Sequence, residues 1–313
     1  MIEVPEMIML HINSSTIQDV RKEYNLDKPG IMEQSVDILY DWIQKQEHFV
    51  KKDFHRDHLE RIIISTKGSV EKAKKRMDKV CTMRSLVPNL FQKCHAKDDF
   101  AQLHDWYINL PMPKITDDNY RIYIAKISNK PLSASVLMDA YQFSVILSEY
   151  MKLYDYTKGY HVICDFRDAN VLDLVTKIDL VDLRNIMTLY TDGYGFRIKN
   201  IFVLSNSSMI GTFVDILKQI VTAKIGQRIS VCKSTEALHE SLPKHLLPED
   251  YGGEQKSIST IYNQWVEELS SDKHVAYMKE MRGACTNETL RRPDKFNEDY
   301  LGMPGSFKML HVD

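Results

Sequence analysis

Cysteine is scarce in this sequence, and its few copies are scattered. The 313 residues include five cysteines, Cys81, Cys94, Cys164, Cys232 and Cys285, with no CxxC pair. An odd and widely spaced set argues against a zinc module. It is typical of free, mostly buried thiols in a reducing compartment.

Long apolar runs and an excess of charge are also missing. The most apolar stretch, residues 136–147, is interrupted by Asp139, whereas a spanning helix needs roughly 18 uncharged apolar residues. The amino terminus has Glu3 where a signal peptide would be basic, so we expect a cytosolic protein. With 41 basic and 43 acidic residues the net charge is −2, and we expect no nucleic-acid partner.

The common catalytic motifs are absent as well. The sequence contains neither GxGxxG nor GxxxxGK[ST], the motifs that bind dinucleotides and nucleotide phosphates. It also lacks the GxSxG motif of α/β-hydrolases and the HExxH motif of zinc proteases. We expect no catalytic residue, no cofactor and no metal.

A hydrolase remains a less favoured alternative. Cys164 and Asp165 stand at the end of a predicted strand, but Asn170 occupies the position where a cysteine phosphatase needs an arginine. Asp168 is three positions after Asp165, whereas a strand-end aspartyl phosphatase would have two acids two positions apart.

Apolar spacing divides the chain into a helical region and an α/β region. Residues 1–110 read as helices, including one over 29–49 and one over 69–86, which Ser69 could cap. Two prolines in residues 110–113 predict a boundary. The following residues, 111–270, predict strands at 119–127, 160–166, 198–204 and 228–232 that alternate with helices at 135–154, 177–192 and 207–221. Residues 271–313 predict an extended tail packed on the body.

Two basic segments and one apolar helix stand out. Residues 61–84 carry a net charge of +6, and residues 197–233 carry +5. The predicted helix at 209–221 has apolar residues at helical spacing and further ones beyond that stripe. Such a helix could be an ordinary core helix, or it could face a membrane, with Lys224 and Arg228 beside anionic headgroups.

Six segments, in this order and spacing, resemble the CRAL-TRIO lipid-binding family. They are SVEKAKKRMDKVCTMRSLVPNLF (69–91), YRIYIAKI (120–127), ICDFRDA (163–169), YGFRIKNIFVLSNS (194–207), TAKIGQRISV (222–231) and LPEDYGGE (247–254). The resemblance covers about residues 28–270, and the family includes members that bind retinaldehyde and tocopherol. The segment GMPGSFKML (302–310) is also similar to members from invertebrates.

The resemblance implies a cytosolic carrier without covalent chemistry. In this family a small, mostly parallel sheet floors an apolar cavity beneath a mobile lid helix, which corresponds to residues 209–221. The cargo would be a small hydrophobic lipid such as a retinoid, carotenoid, tocopherol or terpenoid-like molecule. The resemblance puts the following residues at or near the cavity: Tyr141, Val145, Ser148, Ile163, Leu189, Tyr190, Ile201, Ile210, Phe213, Ile216, Leu217 and Ile220.

The resemblance also implies a basic groove for an anionic membrane or a phosphoinositide. It corresponds to Lys67, Arg197, Lys199, Lys224 and Arg228. Where relatives read Leu-Arg-Ala-Arg, this chain has Ile-Ile-Ser-Thr at 63–66, so two family cations are missing. The alternatives are therefore a monomeric lipid carrier that touches membranes and a phosphoinositide-binding adaptor.

Overall fold

The computed structural model describes residues 9–291, so the motif at 302–310 lies outside the described residues. Within that range the sheet has five strands in the order β1-β2-β3-β4-β5. β1 pairs with β2 antiparallel, and the other pairs are parallel. The strands are β1 Tyr107–Ile115, β2 Tyr120–Ile127, β3 Gly159–Asp165, β4 Ile198–Leu204 and β5 Ile229–Cys232. The predicted α/β class and the predicted strands β2 to β5 are confirmed.

The first strand lies where the two prolines predicted a boundary. Residues 110–113 are part of β1, which occupies one edge of the sheet. An edge strand tolerates proline because one side of its backbone has no ladder to complete. The register shifts between Pro111 and Ile115, and the indole Nε1 of Trp265 donates to the Pro111 carbonyl at 2.9 Å. A bulge and a covering aromatic side chain therefore allow both prolines within a strand.

Four helices form the amino-terminal region, as predicted. They are α1 Thr16–Glu23, α2 Ile31–Lys45, α3 Arg56–Ser65 and α4 Val70–Leu86. Ser69 caps α4, because its hydroxyl accepts the Lys72 amide hydrogen at 3.4 Å. Apolar residues of all four helices share one core, which also receives side chains from the sheet region.

The remaining helices cover the sheet on its two faces. They are α5 Ala134–Tyr154, α6 Val171–Lys177, α7 Leu180–Thr188, α8 Ile210–Ile220, α9 Ala223–Gly226, α10 Glu236–His239, α11 Ile258–Leu269 and α12 Asp272–Arg282. A π turn, Leu189–Gly193, extends α7. None of the helices in residues 9–291 is both long enough and apolar enough to cross a bilayer.

The segment predicted as an extended tail begins with a helix, α12. Ser271 caps it by accepting the His274 amide hydrogen at 3.3 Å, and Met278 and Met281 are buried on one face. Polar residues outnumber apolar ones here, so the apolar pattern is weak and the helix was missed. Only beyond it does the chain become irregular, and Arg291 there pairs with Asp78 at 2.8 Å.

Candidate functional site

One face of the sheet is the floor of an apolar cavity of about 260 Å³. The strand register places Tyr123, Val162, Ile201 and Ile229 side by side across β2 to β5, and all four line the cavity. Ala125 and Cys164, two positions further along their strands, form a second row. Because strand side chains alternate between faces, these rows point toward one side of the sheet.

Helix α5 is one wall of the cavity. Leu137, Ala140, Tyr141, Ser144 and Ser148 line it, at the spacing of one helical face. The opposite wall comes from α6, α7 and the π turn, through Leu174, Leu183, Ile186, Met187 and Tyr190. Main-chain hydrogen bonds hold each helix in shape. The width of the cavity therefore depends on how these helices pack against one another.

Helix α8, the predicted lid, closes the cavity on a third side. Phe213 and Leu217 line the cavity, and the chain after the helix adds Val221 and Ile225. The exposed positions of α8 are all polar or lack a side chain: Gly211, Thr212, Asp215, Lys218 and Gln219. In this structure the apolar face of α8 is therefore turned inward, and its outer face is hydrophilic.

The predicted cavity residues divide into two groups. Six of them line the cavity: Tyr141, Ser148, Tyr190, Ile201, Phe213 and Leu217. Ile163 faces the other side of the sheet, because its neighbours Val162 and Cys164 face the cavity. The rest pack in the protein core: Val145 and Leu189 in that of the helical region, Ile216 and Ile220 partly buried against it, and Ile210 in that of the sheet region.

The cavity walls that residues 9–291 form carry no ionised side chain. None of the lining residues in that range is Asp, Glu, Lys, Arg or His. Burial raises the pKa of the Tyr107, Tyr123, Tyr141 and Tyr190 hydroxyls above the usual range and that of the Cys164 thiol to about 12. All of these groups are therefore neutral at pH 7.

Four of the five predicted basic residues lie near the amino ends of β4 and β5, and Lys67 lies between α3 and α4. The Arg228 guanidinium donates to the Ile198 carbonyl, and the Arg197 guanidinium lies 4.9 Å from the centre of the Tyr24 ring. The Lys199 ammonium is exposed, 4.0 Å from the Asp118 carboxylate. Lys224 is exposed in α9, and Lys67 is exposed in the turn between α3 and α4. Arg197 and Arg228 thus have contacts inside the protein, whereas Lys67, Lys199 and Lys224 face solvent.

A cluster of cations that was not predicted lies next to Arg197. Arg61, Lys152 and Arg197 line a small cavity of about 30 Å³, and Arg76 reaches its edge by donating to Gly195. Within residues 9–291 no carboxylate lies within 4.0 Å of the Lys152 ammonium, which is almost fully buried. Burial, together with the nearby Arg76 and Arg61, lowers the pKa of Lys152 to about 7.

A thin apolar wall separates this cation cluster from the apolar cavity. Met151, Tyr160 and Phe196 line both spaces. The charge surplus of residues 61–84 contained Arg61 and Arg76, but only the fold brings them to Lys152. The sequence therefore shows Arg61 and Arg76 as part of a basic segment, but it does not show that they meet Lys152 in the folded protein.

The strand-end residues of the hydrolase alternative have structural contacts. Asp165 receives two hydrogen bonds from the Arg167 guanidinium, at 2.9 and 2.8 Å, and one from the Tyr251 hydroxyl at 3.0 Å. Asp168 pairs with Lys126 at 3.0 Å on the surface. In residues 9–291 no group of three His, Cys, Asp or Glu side chains is placed to hold a metal ion.

A match to a protein-family model agrees with this geometry. The family model described as CRAL/TRIO domain matches residues 106–253, which include all five strands and the cavity. The crystal structure of Sfh5 is similar to this chain with a TM-score of 0.45 at 12% identity, over 87% of this chain and 99% of that one. No match to a curated protein sequence was found. On this match, residues 106–253 are a CRAL-TRIO domain.

Proposed function

We propose that this protein is a carrier that binds a small hydrophobic lipid in the cavity and transfers it between membranes. The observation that carries the proposal is the cavity itself, about 260 Å³, whose lining among the described residues has no ionised group. Well-packed cores have few voids larger than a water molecule, so a space of this size costs stability unless a guest fills it. The CRAL-TRIO domain at residues 106–253 supports lipid binding in general.

The energetics favour capture and oppose release. An apolar guest that loses about 500 Å² of water-exposed surface gains roughly 12 kcal/mol, before the costs of binding are subtracted. Such a guest leaves slowly unless something stabilises the open form. We therefore propose that α8 swings outward at a membrane, where Phe213 and Leu217 enter the lipid interface instead of water.

Three exposed apolar residues on helices beside α8, called the apolar patch below, support membrane contact. Leu172, Leu180 and Val181 are 55%, 51% and 53% exposed. They lie at the starts of α6 and α7, which both pack against α8. Large exposed apolar side chains that cluster on a soluble surface commonly mark an interaction site.

The surroundings of Cys164 and Asp165, at the end of β3, support a carrier rather than a hydrolase. Cysteine catalysis needs a thiolate, and burial holds the pKa of Cys164 at about 12. The Asp165 carboxylate is fully buried and already bonded to Arg167 and Tyr251. Substituting either residue should leave cargo binding intact if the protein is a carrier.

Mass spectrometry of the bound material tests the proposal directly. The full chain, purified without detergent, should carry an organic-extractable molecule close to one per protein. Phe213→Asp should lower that occupancy, because it places a carboxylate on the cavity wall. The control is Asp215→Asn, on the exposed side of the same helix. Empty wild-type protein that also fails to take up any lipid from vesicles would refute the carrier.

The cation cluster favours a second candidate function, a phosphoinositide-binding adaptor. Arg61, Arg76, Lys152 and Arg197 converge at a small cavity where the carboxylate in the lining, Asp155, is already paired with Arg121, and phosphate groups complement such cation clusters. Lys199→Glu with Lys224→Glu, both at exposed positions, should weaken binding to anionic vesicles. Vesicles with phosphoinositide and vesicles with phosphatidylserine at equal total charge separate headgroup recognition from plain electrostatics. Equal binding to both would refute the adaptor.

A further inference from the structure

Helix α2 carries apolar side chains along one side that is not part of its main contact with the core. Ile31, Ile38 and Trp42, called the α2 stripe below, recur at i, i+7 and i+11, which places them on the same side of the helix. Ile31 and Ile38 are exposed, and Trp42 is half-buried. The fully buried side of the helix consists of Met32, Val36, Leu39 and Ile43. The packing of α2 on the core therefore leaves Ile31 and Ile38 facing water.

The chain after α12 runs toward this stripe. Thr286 pairs with Phe49 in an antiparallel bridge, and the Asn287 amide donates to the His48 carbonyl at 2.7 Å. Each step forward along this part of the chain is therefore a step back along the loop that follows α2. In that direction the loop leads to Lys45, the last residue of α2.

Arg291, the last described residue, is held close to the same end of α2. Its guanidinium lies 2.8 Å from the Asp78 carboxylate, and the His48 ring contacts that carboxylate at 2.8 Å as well. The ring of Phe49, next to His48, lies edge-on to the ring of Trp42, with the centres 5.7 Å apart. The chain therefore leaves the described range beside the Trp42 end of the α2 stripe.

The 22 residues that follow, 292–313, are long enough and apolar enough to cover the stripe. An extended chain spans about 3.3 Å per residue, so they reach roughly 70 Å, whereas Trp42 and Ile31 are about 16 Å apart along the helix. Segments that remain unpacked contain few aromatic residues, but three of these 22 are aromatic, a larger share than the 10% of the whole chain. Their large apolar residues, half of which fall in 307–312, are Phe296, Tyr300, Leu301, Met303, Phe307, Met309, Leu310 and Val312.

We infer that residues 292–313 bind along the α2 stripe of their own chain, with residues 307–312 as the main contact. Covering Ile31 and Ile38 removes their exposed apolar surface from water. Because the segment is tethered beside Trp42, its effective concentration at the stripe is roughly millimolar, so even a weak contact forms within one molecule before a second copy binds. Among residues 9–291 the apolar cavity has no lining residue from α2, so the inference is independent of the proposed carrier function.

Photocrosslinking in the full-length protein tests the inference directly. The photoreactive amino acid p-benzoylphenylalanine replaces Ile38, the protein is irradiated, and the crosslinked peptides are identified by mass spectrometry. We expect a monomeric product in which most crosslinks fall in residues 307–312. The same replacement of Val231 on β5, which is similarly exposed, is the matched control and should give no crosslink to those residues.

Other occupants of the stripe would give different main products, and each would overturn the inference. A crosslinked dimer whose yield rises with protein concentration would assign the stripe to a second copy. Crosslinks to lipid in the presence of phosphatidylcholine vesicles would assign it to a membrane. Crosslinks from Ile38 that miss residues 292–313, or equal labelling of residues 307–312 from Val231, would show that the segment does not bind at α2.

Two double variants test the contact from the side of the terminal segment. Phe307→Ser combined with Leu310→Ser should lower the crosslinking yield from Ile38 about tenfold or more, because it removes two apolar side chains from the contact. Lys308→Ser combined with His311→Ser changes polar positions of the same run and should keep the wild-type yield. Equal yields in the two double variants would overturn the role of residues 307–312, and circular dichroism verifies that each variant folds.

Tryptophan fluorescence gives a second measurement that needs no crosslinker. Trp42 is half-buried, whereas the other two tryptophans, Trp106 and Trp265, are buried, so acrylamide quenches mainly Trp42. Phe307→Ser combined with Leu310→Ser should increase this quenching by uncovering Trp42. Quenching equal to that of the wild type would contradict a segment that covers the stripe.

Discussion

The ring of Phe213 in α8 packs edge-on against the ring of Phe166, directly after β3. The ring centres are 5.0 Å apart and the planes meet at 64°. Both residues line the cavity, so the contact joins α8 to the sheet. Edge-to-face aromatic pairs of this kind contribute about 0.5–1.5 kcal/mol beyond the area they bury. Any outward movement of α8 has to break this contact.

Phe166→Leu should therefore speed the release of cargo. Losing about 0.5–1.5 kcal/mol from the closed form increases the open fraction roughly two- to tenfold. Stopped-flow transfer of the cargo to empty acceptor vesicles measures this rate. Phe100→Leu removes a similar pair with Phe143, whose ring centres are 5.6 Å apart outside the cavity, and should leave the rate unchanged. Equal rates in Phe166→Leu and wild type would rule out the contact as a closure element.

Leu172→Asp combined with Leu180→Asp should weaken vesicle binding by about tenfold or more. Burying one leucine contributes about 1.5–3 kcal/mol, and a carboxylate at the same place opposes insertion. Both side chains are about half exposed, so the fold should tolerate the change. Ile38→Asp on α2, at a position 45% exposed, is the matched control. Vesicle flotation quantifies the bound fraction, and unchanged flotation would contradict membrane contact through this patch.

The buried ion pair of Arg121 and Asp155 predicts an effect on stability. Two nitrogens of the Arg121 guanidinium lie 2.9 Å from the two Asp155 oxygens, and both side chains are fully buried. Asp155→Asn leaves that guanidinium without its carboxylate and should reduce the free energy of unfolding by about 3–5 kcal/mol. Asp173→Asn, which breaks the partly exposed pair with Lys177, should cost less than about 1 kcal/mol. Urea unfolding compares the two, and similar losses would contradict the distinction.

The sequence predicted the elements whose apolar pattern is unambiguous. Helix α8 is the clearest case, because its apolar residues recur at helical spacing and its exposed positions are polar. Strand β1 was missed because Pro111 and Pro113 usually exclude a strand, and only its edge position with the bulge permits them. Helix α12 was missed because its apolar stripe is short.

The cavity residues could be predicted only in part, for a related reason. β3 is covered on both faces, so Val162, Ile163 and Cys164 are all apolar and the sequence does not reveal which of them face the cavity. Val145 has the composition of a wall residue but packs in the core of the helical region. The cation cluster brings together Arg61 and Lys152, ninety-one positions apart, and only the fold makes that contact.

Lys152 predicts a specific dependence of stability on pH. Its pKa is about 7 in the folded protein because of burial and of the facing cations Arg61 and Arg76, against roughly 10.4 when unfolded. Glu149 and Asp155 also face it and partly offset this shift. Between these two pKa values the unfolded chain holds a proton that the folded protein has lost. The free energy of unfolding should therefore rise with pH above 7, by up to about 1.4 kcal/mol per unit, and the penalty should be constant below pH 7.

Lys152→Met removes this titration and should stabilise the protein at pH 6, with less gain as the pH approaches 10. Urea unfolding of wild type and variant across pH 6 to 9.5 gives the difference curve, in which titrations common to both proteins cancel. Lys279→Met, at an exposed position of α12, is the matched control and should follow the wild-type curve. A constant difference between Lys152→Met and wild type over that range would show that the Lys152 ammonium stays protonated in the fold. The cation cluster would then have to include a bound anion that compensates its charge.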